Sequence, residues 1–320
     1  LTSASDVNNI KEGVSNGDVN ILIGTHSVIN KNHKFIDLGL LIVDEEQSFG
    51  VNQKEELKSL FPKVHNLTLS ATPIPRTLQM AFSGIRDLSL INTPPKNRMP
   101  IETNVIEFDR ATIRSAIMRE IKRDGQVFFV VPRIKDIRAI EDFLNDSLPE
   151  IKYMVATGKT NNRELEKTIS AFYYGEFDLL VSTNIVGSGL DIQRANTIII
   201  YKAELFGLSQ LYQIRGRVGR SNKRAFAYLV TKENANLTKT AKKRLDLIKE
   251  LNSLVSGFTL SSQDLEIRGS GNILGEEQTG QVNEVGISLY QEMLQRTINS
   301  LKLNKNEGDN SYLEENRSPV

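Results

Sequence analysis

The chain has 320 residues, 25% charged and 39% hydrophobic, with 40 Lys and Arg against 39 Asp and Glu for a formal charge of +1. This balance is that of a folded globular protein, and it excludes a strongly basic surface, so any nucleic-acid partner needs a local groove rather than a general field. No cysteine occurs, which excludes disulfides and cysteine–zinc centres, and the three histidines, His26, His33 and His65, have no metal-ligand spacing.

No apolar run approaches the roughly 18–20 residues of a membrane-spanning helix. The start, "LTSASDVNNI", lacks the basic and apolar regions of a signal peptide. A cysteine-free chain without targeting segment is expected in the cytoplasm. Along the chain, "NILIG" (20–24), "LGLLIVDEE" (38–46) and "HNLTLSATP" (65–73) read as buried parallel strands, β-branched or Leu-rich, flat in periodicity and closed by polar or Gly and Pro residues. "LINTPPKNRMP" (90–100) breaks the pattern, because its prolines favour an extended, uncovered segment. In "ATIRSAIMREIKRDG", Ile113, Ile117 and Ile121 recur on one helical face, with Gly125 as the expected stop. "NRELEKTISAFYYG" repeats this with Leu165, Ile169 and Phe172, stopped at Gly175. The strands "QVFFVVP", "IKYMVAT", "FDLLVST", "NTIIIYK" and "RAFAYLV" surround these helices. Strands separated by helices imply βαβ units and parallel sheets.

The expected organisation is α/β. The back half of one lobe spans residues 1–92, a linker 93–100, and a complete second lobe of five or six strands 101–232. A helical appendix follows over 233–303, then a disordered polar tail over 304–320.

Three stretches carry chemistry. In "LLIVDEEQ" (40–47) an apolar strand delivers Asp44 and Glu45 to its carboxyl end, the edge where open α/β sheets bind ligands. An Asp there can hold the hydration shell of Mg²⁺ beside nucleotide phosphates, and the next Glu can polarise water. Alone, the stretch reads better as a strand ending in a solvated acidic turn; the neighbouring motifs reverse that preference. "LTLSATPIPR" (67–76) ends a second strand in Ser70 and Thr72, short hydroxyls expected beside the acidic pair; its plain alternative is a strand-to-helix turn with Pro near the first helical position. "QLYQIRGRVGRSNKR" (210–224) packs Arg215, Arg217, Arg220, Lys223 and Arg224 into ten residues. That run reads as a generic nucleic-acid patch, or, with Gly216 and Gly219 interrupting it and Gln213 ahead of it, as two guanidiniums aimed at a phosphoryl-transfer site. Arg217 and Arg220 share a face if the segment is helical.

The ordered set IVDEEQ, LSATP and QIRGRVGR resembles superfamily 2 helicases and translocases. The longer strings "VDEEQSFGVNQKEEL", "LTLSATPIPRTLQMAFSGIRDLSLINTPP", "RANTIIIYKAELFGLSQLYQIRGRVGRS" and "DLEIRGSGNILGEEQTG" are similar to the C-terminal motor part of the bacterial transcription-repair coupling factor family, close to the RecG branch-migrating helicases. The resemblance covers about residues 18–303. It implies two RecA-like lobes that clamp ATP and Mg²⁺ and track along double-stranded DNA, with RNA polymerase and excision-repair proteins met through regions absent from these residues. It implies that Asp44 and Glu45 are the magnesium and hydrolytic pair, with Gln47 completing that motif. Ser70, Ala71 and Thr72 then couple hydrolysis to DNA. Gly189 and Asp191 match the fifth motif of the superfamily, and Gln213, Gly216, Arg217 and Arg220 the sixth, which carries the arginine finger. Thr25 and His26 match a DNA-backbone contact, where a plain helix cap by Thr25 is the alternative. Arg268 and Gln278 match the translocation motif, though a helical hairpin requires glycine turns and polar caps in any case.

Gly158-Lys159-Thr160 has the ending of a phosphate loop, but G-x-x-x-x-G-K-[ST] requires glycine where Tyr153 stands. The triplet also follows Asp44 and Glu45, whereas the family's phosphate loop precedes them. It is therefore expected to be a decoy, matching a loop-to-helix turn in which Gly158 and Lys159 touch DNA phosphate; Thr157 replaces the family's His there. No other segment of the 320 residues has the phosphate-loop pattern, and the first residue is Leu1 rather than Met. The phosphate loop is expected upstream of Leu1 or lost, leaving the first lobe truncated. In "VSTNIVGSGLDIQ", Gly187 stands where the family carries Glu and Gln193 where it carries Pro. Two functions follow: an ATP-driven DNA motor, or a non-hydrolysing DNA-binding or structural remnant of a split or decaying gene. In both, the isolated polypeptide is expected to be inactive as an ATPase.

Overall fold

The computed structural model of the chain describes residues 4–25, 28, 35–45, 49, 63–70, 87–89, 91, 93, 99–183, 191–233 and 236–250. The chain divides into two compact units, residues 1–73 and 74–320. Most of the expected linker, the appendix beyond residue 250 and the expected disordered tail lie outside the described residues.

The first unit opens with helix α1, Ala4–Asn16, which was not anticipated. Its signal is weak but present: Val7, Ile10 and Val14 recur at helical spacing, and only Val14 is buried. Strands β1 (Leu40–Val43) and β2 (His65–Thr68) then pair in parallel, with Leu40 opposite His65 and Val43 opposite Thr68. The ladder runs one step further at each end, through His65 N–H to Gly39 carbonyl (3.2 Å) and Leu69 N–H to Val43 carbonyl (2.8 Å).

Two expectations fail here. Leu40, Ile42, Leu67 and Leu69 are exposed, so β1 and β2 are not buried strands. The "NILIG" run forms no strand; Ile21 and Ile23 are 80% and 90% exposed. An apolar run becomes a buried strand only when neighbouring strands supply ladder partners and another layer covers its face. Neither condition is written into the run itself.

The second unit holds a six-stranded, all-parallel sheet in the order β3-β8-β7-β4-β6-β5. Its strands are β3 (Ile101–Glu107), β4 (Gln126–Val130), β5 (Tyr153–Ala156), β6 (Leu179–Ser182), β7 (Ala195–Tyr201) and β8 (Ala225–Thr231). Edge strand β3, "IETNVIE", was not anticipated, because its polar residues dilute the apolar signal that marks the central strands. Its helices among the described residues are α2 (Arg110–Ile121), α3 (Ile137–Ser147), α4 (Asn162–Tyr173), α5 (Leu208–Arg215) and α6 (Lys239–Glu250).

The alternation of strand side chains builds a core on each face of the sheet. Val127, Phe129, Val181 and Ile199 pack with Ile113 and Ile117 of α2 and Ile140, Phe143 and Leu144 of α3. Phe128, Val130, Leu180, Ile198 and Ile200 pack on the other face with Phe172 of α4, Leu208, Leu211 and Ile214 of α5, and Leu245 and Ile248 of α6. Covering both faces is what allows a parallel sheet of continuous apolar strands to exist in water.

Helix α2 starts at Asp109, whose carboxylate accepts from the Thr112 hydroxyl and from Thr112 N–H at 2.8 Å. The Thr112 hydroxyl, then its N–H, hold the Asp109 carboxyl below its ordinary value of 3.8. The helix does not stop at Gly125 as expected. It ends at Ile121, and Asp124 takes the left-handed turn at φ 57°. Gly125 serves instead as a close-approach point: a Cβ there would fall 1.8 Å from Glu120 Oε1. Glu120 is buried, bonded to Thr197 and Arg123. Helix α4 does stop at Gly175, at φ 80°, with Gly175 N–H donating to Phe172 and Glu176 N–H to Ala171.

Candidate functional site

The carboxyl ends of three neighbouring strands, β6-β4-β7, open on one cavity of about 450 Å³. Pro132 follows β4, Thr183 follows β6, and Leu205 and Phe206 follow β7. Gln210, Gln213, Ile214 and Arg217 also line it. Gln210, Gln213 and Arg217 lie three and then four residues apart, one face of α5 continued into the turn beyond it. Leu208, Leu211 and Ile214 fasten α5 to the sheet, and Gln210 Oε1 accepts from Gly207 N–H at 2.9 Å to close its start. The result is polar and cationic groups held on a rigid element over strand ends, the usual place for a ligand in an open α/β sheet.

The basic run divides its labour. Arg215 is buried: Nη1 donates to the Ile248 carbonyl (3.0 Å) and its guanidinium lies 5.3 Å from the Tyr212 ring centre. Arg217 faces the cavity. Arg220 turns elsewhere, with Nη1 3.8 Å from Asp191 Oδ1 and Nε donating to the Gly216 carbonyl at 3.3 Å. Lys223 Nζ donates to the Arg123 carbonyl (3.1 Å), and Arg224 stands 3.8 Å from Glu102. A generic nucleic-acid patch would leave these charges side by side in solvent; here they separate into distinct tasks.

The condition for Arg217 and Arg220 sharing a helical face is not met. Helix α5 ends at Arg215, Gly216 caps it at φ −67°, and Gly219 at φ 74° redirects the chain between the two arginines. A Cβ on Gly219 would approach Ile101 Cγ1 to 2.9 Å, so both conformation and space require glycine there. The structure thus joins Gln213 and Arg217 at the cavity and joins Asp191 to Arg220.

In the first unit, Asp44 and Ser70 both emerge from the carboxyl ends of adjacent parallel strands. Glu45 takes a left-handed backbone, φ 51°, and its N–H donates to Asp44 Oδ1 at 2.8 Å. No group of three metal-ligating side chains occurs among the described residues. An exposed carboxylate at a strand end suits a magnesium ion that keeps its waters and takes its other ligands from phosphate. Thr25 is exposed, and its carbonyl accepts from Val28 N–H at 3.0 Å. His26, Gln47, Ala71, Thr72, Gly187, Gly189, Arg268 and Gln278 lie outside the described residues.

Gly158 and Lys159 are exposed in the turn before α4. Thr157 N–H donates to Thr160 Oγ1 (3.1 Å), Lys159 N–H to Thr157 Oγ1 (3.2 Å) and Thr160 N–H to the Thr157 carbonyl (3.0 Å). A phosphate loop offers its amides to the ligand; here hydroxyls and a carbonyl of the same turn hold them. This geometry is that of a self-capped turn. Pro132, Thr183, Phe206 and Gln210 were not singled out from sequence; only Gln210 carried a signal, its helical spacing from Gln213.

A six-stranded parallel sheet with helices packed on both faces is the RecA-like fold of the helicase class. Residues 1–81 match the DEAD/DEAH box helicase family and residues 110–222 the helicase conserved C-terminal domain. The chain belongs to the transcription-repair-coupling factor family. It is 51% identical over 302 residues to that protein of Rickettsia prowazekii and 48% identical over 297 residues to that of Bacillus subtilis, covering 94% and 93% of this chain. It spans about a quarter of those relatives, 27% and 25% of their lengths. Among solved structures, RecG bound to a three-way DNA junction matches with a TM-score of 0.68 and 33% identity, over 92% of this chain and 38% of RecG.

Proposed function

We propose that the chain is the motor portion of an ATP-dependent double-stranded DNA translocase that couples transcription to nucleotide excision repair by acting on stalled RNA polymerase. The observation that carries this reading is the cavity over β6, β4 and β7 with Arg217 and Gln213 in its wall. A guanidinium fixed at such an edge neutralises charge that builds up on a transferring phosphoryl group. The volume suits a nucleotide-sized ligand.

In this reading residues 1–92 and 101–232 are the two lobes, and the helical appendix over 233–303 converts their closure into steps along DNA. Asp44 holds the hydrated magnesium of MgATP, Glu45 with Gln47 orients the attacking water, and Arg217 and Arg220 act on the triphosphate. Gly189, Asp191, Gln213 and Gly216 shape the nucleotide's second-lobe contacts. Thr25, His26, Ser70, Thr72, Gly158, Lys159, Arg268 and Gln278 serve DNA and its coupling to hydrolysis. RNA polymerase and the excision-repair proteins are met through parts of the longer relatives that this chain does not span, in the cytoplasm.

A second reading rests on the sequence: no G-x-x-x-x-G-K-[ST] occurs in these 320 residues. Without the phosphate-binding lysine, the polypeptide by itself is a DNA-binding or structural piece that hydrolyses nothing. DNA-stimulated ATP hydrolysis separates the two. The 320-residue polypeptide alone is expected to show no turnover, and joining a phosphate-loop-bearing half-lobe ahead of Leu1 is expected to restore turnover that Glu45→Gln abolishes. Failure of the joined protein to hydrolyse ATP sinks the motor reading.

A further inference from the structure

We propose that Asp136 and Lys202 are a positioning pair that holds two walls of the cavity in register. The chain leaves β4 through Pro132 into a 3₁₀ turn, Ile134–Asp136, and leaves adjacent β7 through Lys202 into another, Ala203–Leu205. Pro132 after the first exit and Leu205 and Phe206 after the second all line the cavity. Lys202 Nζ lies 2.5 Å from Asp136 Oδ1, joining the two exits.

Three observations make this pair more than an incidental surface contact. First, it is sheltered: the Asp136 and Lys202 side chains are 7% and 23% exposed, so solvent screens it far less than an exposed pair. Second, Lys202 holds φ 52° and ψ 50°, a left-handed conformation that a lysine adopts only where its surroundings enforce it. That conformation starts the turn in which Leu205 N–H donates to Lys202 carbonyl (3.0 Å) and Phe206 N–H to Ala203 carbonyl (3.1 Å). The side-chain anchor and the strained backbone belong to the same residue, so releasing the anchor lets the Leu205–Phe206 wall relax. Third, Asp136 Oδ2 is buried and accepts no hydrogen bond from the described protein groups. A buried carboxylate half satisfied is a poor device for stability, whereas fixing geometry is a recognised use of buried ion pairs.

The pair therefore acts through Pro132, Leu205 and Phe206 rather than on a ligand itself. It rests on the nucleotide reading only for what the cavity takes; the hydrolysis assay above tests that reading, and the following test is independent of it. Amide hydrogen exchange is followed in the full 320-residue chain and in the variants Asp136→Asn, Lys202→Met and Lys202→Arg. In the first two, exchange at Leu205 and Phe206 is expected to rise about tenfold or more, while Ile198–Ile200 in β7 keep their protection. Lys202→Arg retains the cation and is expected to keep Leu205 and Phe206 slow. Unchanged exchange at Leu205 and Phe206 in both charge-removing variants overturns the proposal. So does an equal rise at Ile198–Ile200, which would make the pair a general support of the sheet.

Discussion

Arg220 Nη1 stands 3.8 Å from Asp191 Oδ1, an ion pair that ties the segment before β7 to the segment before β8. The side chains are 29% and 57% exposed, so water screens the attraction and leaves the guanidinium exchangeable toward a stronger anion. A double-mutant cycle with Asp191→Ala and Arg220→Ala is expected to give a coupling of about 0.5 kcal/mol in unfolding free energy. A coupling near 3 kcal/mol would make Arg220 a structural residue and remove it from the proposed chemistry.

Arg217 lines the cavity from the turn after α5. In the protein completed by a phosphate-loop half-lobe, Arg217→Ala is expected to lower kcat about 10³-fold or more. The urea unfolding free energy should stay within about 1 kcal/mol of the parent. A variant that loses activity only because it unfolds would fail the second measurement.

Gly219 and Gly158 should respond oppositely to alanine. Gly219 combines φ 74° with a Cβ position 2.9 Å from Ile101, so Gly219→Ala is expected to cost about 2 kcal/mol. Gly158 has no positive φ and open space around it, and Gly158→Ala is expected to be neutral or to stabilise by about 0.5 kcal/mol. Chemical unfolding of the two variants checks both. A large loss at Gly158 would show that the Gly158-Lys159-Thr160 turn has a conformational demand that the structure lacks.

Arg215 fastens α5 to α6 through the Ile248 carbonyl while Leu245 and Ile248 pack against the α5 face. Arg215→Met keeps the apolar stem and removes the charged donor, at an expected cost of about 2 kcal/mol. Hydrogen exchange in α6 should rise with it. Lysine is not expected to restore the bond, because its point charge cannot both reach the carbonyl and lie along Tyr212.

Tyr228 on β8 has its phenol pushed above 10.0 by burial, an effect that the neighbouring Arg119 guanidinium opposes. A raised folded-state value means that the stability it contributes is fully present below pH 10 and lost as pH rises through the folded value. Comparing the parent with Tyr228→Phe from pH 8 to 11 should show the parent losing more stability on the alkaline side. Parallel pH profiles would refute the assignment.

Local pattern determined much of this protein. Continuous apolar runs at Val127–Val131, Leu179–Val181 and Ile198–Ile200 announced central strands of a parallel sheet, since only strands buried on both faces dispense with alternation. The Ile113/Ile117 spacing announced α2, and the ordered strings around Asp44, Ser70 and Arg217 announced the family, because motif order survives in the chain whatever its fold. Tertiary structure decided the rest. "NILIG" and "QVFFV" are alike as strings; only the second finds neighbours and covering helices. Five basic residues read alike in sequence, yet packing sends Arg215 inward, Arg217 to the cavity and Arg220 to Asp191. Asp136 and Lys202 meet only because β4 and β7 are neighbours in the sheet. The physical reason is one of range: propensity and periodicity act over a few bonds, whereas burial, pairing and charge separation depend on partners that folding alone brings near.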